Sequence, residues 1–451
     1  MTFRSLSITA LVTFGLLQTS PAQTDQEQRE PRMPAQPVWY DVVTLFGEDT
    51  SKVVINIHYR IGESFFIFVR NEGGQQRWEY IARGELVVEL LNEQKISTAR
   101  EIRQISLARM SAVRDDGTGP DVVGAITFTV TPGTYTIVFG VDDKESGRSF
   151  LDRNKRVTAR TPRLKPLEVS NPVIVQSIQN NLPQPSLTPV NRGGDVVFGG
   201  RGAIFSQILQ PDSLTDFRVR WTLKGQLDGF GPRSQEFSGT DFVIRNGMPT
   251  LASKEDSAQY EVLPSAFRWA ACIVPLPFEL LESGLFTLDI EYSSAQMKNT
   301  QTHSFRVTWP RKPFSLANVE LAIDALRHIA SEEEINAMQA GSLMHRAEVF
   351  HKFWRARDPD TTTAYNEVMA EYYYRVDEAL RKFSTVREGD GYRTDRGRIY
   401  ILYGPSPTID RVLRPGSSPM EIWTYEALKK RFVFIDQNKN GLFILSQVEN
   451  L

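Results

Sequence analysis

At 451 residues the chain has room for about three domains of ~150 residues each, and for a large buried core. Hydrophobic residues at 41% and charged residues at 24% exclude a disordered or fibrous protein. With a formal net charge of -2 and no Lys/Arg-rich run, the electrostatic footprint of a nucleic-acid binder is missing, so no nucleic-acid partner is expected.

The first 22 residues read as a signal peptide. Arg4 supplies a thin positive start, Leu6 to Leu17 is apolar but too short to span a bilayer, and Ser20-Pro21-Ala22 offers small residues for cleavage. A buried N-terminal strand is the alternative. No Cys stands at the cleavage site, which argues against a lipid anchor. Residues 23–37, polar with Pro31, Pro34 and Pro37, read as a flexible leader. The expectation is an exported protein (periplasmic, cell-surface or secreted) without a membrane span once the signal is removed.

Residues 38–165 read as a first β-sandwich module. Val53–Ile61 and Phe65–Arg70 are β-branched and aromatic, and Gly84 to Leu90 is strand-like. The turn Thr131-Pro132-Gly133 leads into Thr134–Val141, where Tyr135, Ile137 and Phe139 alternate with Thr134, Thr136 and Val138. Residues 161–192, with six prolines from Pro162 to Pro189, read as a boundary and an extended connection.

A second sandwich is expected over 166–310. Phe217, Val219, Trp221 and Leu223 alternate with Arg218, Arg220 and Thr222, and Phe286, Leu288, Ile290 and Tyr292 alternate with Thr287, Asp289 and Glu291. Such alternation suits antiparallel strands with one wet face, and the size is in the immunoglobulin-like range. The single cysteine, Cys272, cannot form an intramolecular disulfide and is expected as a small buried hydrophobe.

Residues 314–451 change character. Residues 315–383 carry helical periodicity, with a capping-box spacing at Ser331 to Glu334 and Thr361 to Thr363 offering N-caps for a helix that carries Tyr365, Val368, Tyr372, Val376, Leu380 and Phe383. Strands are expected at Arg398–Tyr403, Glu421–Tyr425, Arg431–Ile435 and Leu442–Ser446, the last two around an Asn440-Gly441 hairpin. The fold class is therefore two antiparallel β-sandwich modules followed by an α+β domain of helices and a small antiparallel sheet.

Several separated motifs occur in this last region. They include Phe353 to Pro359, Asn366-Glu367, Glu371 to Arg375, Gly391-Tyr392-Arg393-Thr394-Asp395-Arg396-Gly397-Arg398 and Tyr403-Gly404-Pro405. Glu421-Ile422-Trp423-Thr424-Tyr425 and Phe432 to Asp436 complete the series. Over about residues 340–446 this string resembles the GWxTD domain family. Tyr392 stands where Trp is usual, Ser406-Pro407 replaces Pro-Asp, and Thr361 replaces Pro. The resemblance implies a C-terminal domain of exported bacterial proteins, often behind β-rich modules, and no established activity. It makes Arg357, Asp358, Asn366, Glu367, Glu371, Arg375, Gly391, Tyr392, Thr394, Asp395, Arg396, Gly397, Arg398, Tyr403, Gly404, Pro405, Trp423, Tyr425 and Asp436 the candidate binding or structural set.

Asp395 with Arg396 and Arg398 is the most pointed charged cluster. It reads either as a ligand-gripping group or as a capping Asp with the arginines paired to Glu367 or Glu371. Glu367, Glu371 and Arg375 form a helix face that is open to acid/base work or to solvent. The Glu348-x-x-His351 spacing occurs once where a di-metal site needs two copies, so no metal is expected, and no cofactor fingerprint occurs. Asp436 to Gly441 mimics half of a calcium loop but lies between strands and reads as a turn. The aromatic set Trp354, Tyr372, Tyr373, Tyr374, Tyr392, Tyr403, Trp423 and Tyr425 suits sugar stacking or core packing. The expected function is a non-catalytic interaction or scaffold protein that docks a protein or glycan of the cell envelope through its C-terminal domain. The alternative is an envelope hydrolase using Asp395 and Glu371.

Overall fold

Period-two burial builds the first sandwich. In the strand Val53–Ile61, Val53, Ile55, Ile57, Tyr59 and Ile61 point into one core. The strand pairs antiparallel with Val38–Phe46 on one side and Val122–Val130 on the other. The facing sheet centres on Tyr80–Leu91, flanked by Ser97–Arg109 and Gly133–Asp143, and contributes Leu86, Val88, Leu90, Ile137, Phe139 and Val141 to the same core. The structure, a computed structural model, describes residues 37–72, 78–110, 120–163, 167–179, 186–209, 216–254, 257–295, 297–385 and 390–451. The expected signal peptide, and the leader apart from Pro37, lie outside the described residues.

The second sandwich has a seven-stranded sheet ordered Val243–Asn246, Trp269–Pro275, Ala203–Leu209, Val173–Gln179, Ser186–Pro189, Ser257–Leu263 and Met248–Lys254. It packs on a five-stranded sheet ordered Val196–Val197, Met297–Thr308, Gly284–Ser294, Arg218–Leu227 and Ser234–Gly239. The alternating residues Val219, Trp221, Leu223, Phe286, Leu288, Ile290 and Tyr292 fill the space between them. Cys272 lies in that core, where burial pushes its thiol up to about 12 and leaves it a packing residue. Residues 161–192 are more than the connection expected. The run Val173-Ile174-Val175 is buried, and the segment holds two strands of the seven-stranded sheet.

The two sandwiches share a layer. Along Val53–Ile61 the opposite face is buried as well, with Asn56 and His58 almost inaccessible. Val43 and Leu45 from this sheet pack on Val173, Val175, Phe205, Tyr260 and Ile273 of the seven-stranded sheet. Polar contacts lock the register. Gln207 accepts from Phe46 N (2.8 Å) and donates through Nε2 to Phe46 O (3.2 Å), while His58 Nε2 and Tyr260 Oη share a 2.8 Å hydrogen bond. Four sheets thus stack as one body.

The C-terminal domain begins with α1 (Val319–Ala325), capped by Asn318, and α2 (Glu332–Gln339), whose Ser331/Glu334 capping box forms as its spacing suggests. Then come α3 (Leu343–Arg355), capped by Ser342, and α4 (Glu367–Phe383). The α4 cap is Asn366, not the Thr361–Thr363 run; Asn366 also donates to Trp354 O (2.9 Å), tying the helix start to the end of α3. The expected strand at Arg398–Tyr403 is instead α5 (Asp395–Tyr403). Its Ile-Tyr-Ile-Leu-Tyr composition favours a strand, but the Thr394 cap starts a helix that buries Ile399, Tyr400 and Ile401 on one domain core. A meander of Thr408–Val412, Met420–Tyr425, Lys430–Ile435 and Ile444–Asn450 completes the domain. Among the described residues no helix is long and apolar enough to cross a membrane.

Candidate functional site

The segment Gly391 to Arg398 is a packed corner. A Cβ on Gly391 would sit 2.2 Å from Ala379 O, and one on Gly397 would sit 2.0 Å from Gly391 O, so both positions require glycine for close approach. Tyr392 is buried, and its hydroxyl donates to Asp324, which also receives Arg393 (2.8 Å). Burial, with Asp324 alongside, raises the Tyr392 hydroxyl to about 12. His328 Nε2 donates to Tyr392 O (2.8 Å). Thr394 caps α5, accepting from Gly397 N (3.0 Å) and donating to Gly391 O (2.8 Å). Asp395 accepts from Arg398 (3.3 Å) and, through its other oxygen, from Leu445 N (2.8 Å), which joins the helix start to the last strand.

The other motif charges are engaged nearby. Arg396 reaches Glu421 (3.3 Å) and Gly441 O (3.2 Å), with its guanidinium 4.2 Å from the Phe443 ring centroid. Its partner is thus Glu421, and that of Arg398 is Asp395; neither arginine pairs with Glu367 or Glu371 as the capping reading supposed. Burial lowers the Arg396 pKa from its ordinary value, the Glu421 charge opposing that shift. Glu421, itself buried, also receives Arg411 (3.1 Å) and Trp423 Nε1 (3.3 Å). Glu371 is exposed and pairs with Arg375 (2.7 Å), which donates to Ile401 O (3.2 Å) and packs beside Gly404 at φ +80°. Tyr425 donates to Gly404 O (2.8 Å), and the Tyr403 ring lies 5.3 Å from Phe432. Asp436 accepts from Asn440 N and Gly441 N (3.1 and 2.8 Å), closing the calcium-like segment as a turn. Arg357 bonds Glu334 (2.9 Å) over the Phe353 ring, and Asp358 accepts from Asp360 N (3.0 Å). Glu367 and Pro405 are exposed.

The run Tyr372-Tyr373-Tyr374 is also accounted for. Successive residues on a helix point about 100° apart. Tyr372 donates to Ala325 O (2.6 Å), Tyr373 to Ala322 O (2.7 Å) and Tyr374 to Arg311 O, so three neighbours anchor α4 to three carbonyls upstream.

The open feature lies elsewhere, where the second sandwich meets the helices. A groove of ≈ 870 Å³ runs between residues 228–237, 280–283 and Trp309 on one wall and α3 with the 358–369 segment on the other. Phe198, Phe230, Phe237, Trp309, Phe350 and Trp354 line it, and the exposed Leu280 and Met344 lie on its lining. Phe198, Trp309 and Tyr365 form a three-ring contact across the junction, with centroids 5.2 to 5.7 Å apart. Asp228, Glu282, Glu348 and Asp358 balance Arg233, Lys312, Lys352 and Arg355. Arg233 donates to Glu282 (2.6 Å) and to His351 Nε2 (3.1 Å). Burial, then the Arg233 charge, push His351 down to about 4, so it is neutral at neutral pH and accepts at Nε2. The Glu348–His351 spacing therefore presents His351 to an arginine. No local spacing signals this groove, because its walls come from separate stretches of the chain, and the Arg233–His351 contact joins residues 118 positions apart.

Residues 290–446 match the family model of the GWxTD domain, so the C-terminal region carries that domain. The match starts within the strand Gly284–Ser294 and so includes Trp309 and the helical wall of the groove, while Phe198 and residues 228–237 and 280–283 lie before it. A comparison with curated proteins gives no match. Among solved structures, the collagen adhesin of S. aureus is 8% identical, with 61% of this chain and 94% of that chain covered at a TM-score of 0.16. The Enterococcus faecalis MSCRAMM ACE, which binds its ligands by the collagen Hug model, is 11% identical over 60% and 94% at 0.14. A structure combining manganese lipoxygenase of Gaeumannomyces graminis and part of zonadhesin of Komagataella pastoris is 10% identical over 60% and 94% at 0.15. At such TM-scores these likenesses carry no argument.

Proposed function

We propose that this GWxTD-domain chain is an exported, non-catalytic interaction or scaffold protein. It docks a protein or glycan of the cell envelope through its C-terminal domain, at the groove that domain forms against the second sandwich. The observation that carries the reading is the groove itself: six aromatic rings with charges of both signs interspersed, between the second sandwich and the helix Leu343–Arg355. Aromatic rings supply large contact area to peptides and sugar faces alike, and charges of both signs give orientation without a strong single-sign field. The acid/base alternative has less support, since Asp395 uses both carboxylate oxygens internally and Glu371 is an exposed partner of Arg375.

Tagged full-length protein, and a Met344→Asp variant, are used to capture partners from envelope extract of the native host, with a glycan array run in parallel. Met344 is 59% exposed on the groove lining, so the variant keeps the fold. A partner or glycan held by the wild type and lost by the variant supports the reading; one held equally by both removes the groove from it. N-terminal sequencing of the protein recovered from that host tests export, which fails if the first 22 residues remain.

A further inference from the structure

The strand Ser97–Arg109 runs 13 residues, the longest among the described residues. It pairs along its length with Tyr80–Leu91 on one side. Its other edge has no ladder partner among the described residues. A long open edge offers a row of backbone donors and acceptors to any added strand, and natural proteins guard such edges with inward-pointing charges. Ala99, Ile105 and Leu107 pack on the sandwich core, so the odd positions face inward. Glu101 and Arg103 lie among them, 3.7 Å apart, with Arg103 also reaching Tyr59 Oη (3.4 Å). The even positions Thr98, Arg100, Ile102, Gln104 and Ser106 are exposed on the other face.

We infer that this edge is a self-recognition surface: two copies of the chain join through it antiparallel, about a twofold axis at Ile102, into one continuous sheet. The charges select the occupant and the register. With Ile102 opposite its own copy, Glu101 faces Arg103 of the second copy and Arg103 faces its Glu101. Moving the axis one residue either way sets Glu101 against Glu101 or Arg103 against Arg103, which repel. In the selected register Arg100 faces Gln104, Thr98 faces Ser106 and Ala99 faces Ile105, with no like charges opposed. Ile102, 47% exposed, gains an apolar neighbour. A second copy supplies Arg103 opposite Glu101 and Glu101 opposite Arg103 at the same time, a self-complementary spacing that a strand of unrelated sequence need not carry.

Sedimentation equilibrium of the full chain tests this surface independently of the groove. The wild type is expected to dimerise with rising concentration. Glu101→Arg and Arg103→Glu singly should each raise the dissociation constant at least about tenfold, because two attractive cross-strand pairs become repulsive. The double swap restores the pairing and the dimer. Should either single variant fail to fold, Ile102→Lys on the exposed face reads the same surface and should yield a folded monomer. A wild type that stays monomeric at the highest concentrations overturns the inference, as does a dimer indifferent to these changes.

Discussion

Where the first sandwich meets the second, two sheet faces close on each other; where the second meets the C-terminal domain, the surfaces touch through a few rings and leave a groove. Both junctions use aromatic contacts. At the first, Phe205, Tyr260 and Ile273 are buried, and Gln207 and His58 each have a partner from the other module. At the second, Phe198 and Trp309 are half-buried, and Arg233 with His351 lines accessible space. A flat sheet face can be matched across its whole area by another sheet. A helix laid against loops at a sandwich end matches only along a line, and the remaining volume stays open to a ligand.

The contrast can be broken most severely at the closed junction. Phe205→Ala should cost about 3–5 kcal/mol, the range for an aromatic side chain removed from a well-packed interior, read from urea unfolding. If the loss is well below 1 kcal/mol, the junction is not the close-packed layer described.

Acid should loosen the same place. Burial holds His58 at about 4 when folded, against ~6.5 in the unfolded chain, with the Asp41 charge acting weakly the other way. Below the unfolded value the unfolded state binds the extra proton. Stability is therefore complete above pH ~6.5 and falls as the pH drops toward 4, by about 3 kcal/mol for this group. His351, also held at about 4, adds a slope of the same sign at the other junction. His58→Gln should flatten the pH dependence of the urea midpoint relative to wild type, and an unchanged slope would assign the effect elsewhere.

Gln207→Ala strips both partners from the Phe46 peptide groups and should cost about 2 kcal/mol, which equilibrium unfolding would show. Smallest of all, Met344→Asp at the open junction should change stability by less than ~0.5 kcal/mol while changing what the groove holds. A large loss there would mean the groove is part of the core.

Much of the β architecture is legible in the chain because period-two alternation is a local property. Val219, Trp221 and Leu223 declare their buried face without knowledge of the opposing sheet, and Ser331 with Glu334 declares a helix start. The misreading at Arg398–Tyr403 has a physical source: side-chain composition favoured a strand, and the backbone contact between Gly391 and Gly397 that fits a helix there is not a property of composition. The motif residues were legible as a string, yet their work was not. Asp395 as a bridge to Leu445 depends on a strand fifty residues further on, and Thr394 caps a helix only because that segment is packed as one.

By itself the sequence determined the order of modules, the faces of most strands, the helix caps set by neighbouring residues and the family of the C-terminal domain, because each depends on residues close together in the chain. Only the tertiary structure decided that Gln207 serves Phe46, that His58 meets Tyr260, and that Arg233 and His351 line one groove. These contacts join residues more than a hundred positions apart, and no local periodicity encodes which distant surfaces will match in shape and hydrogen bonding.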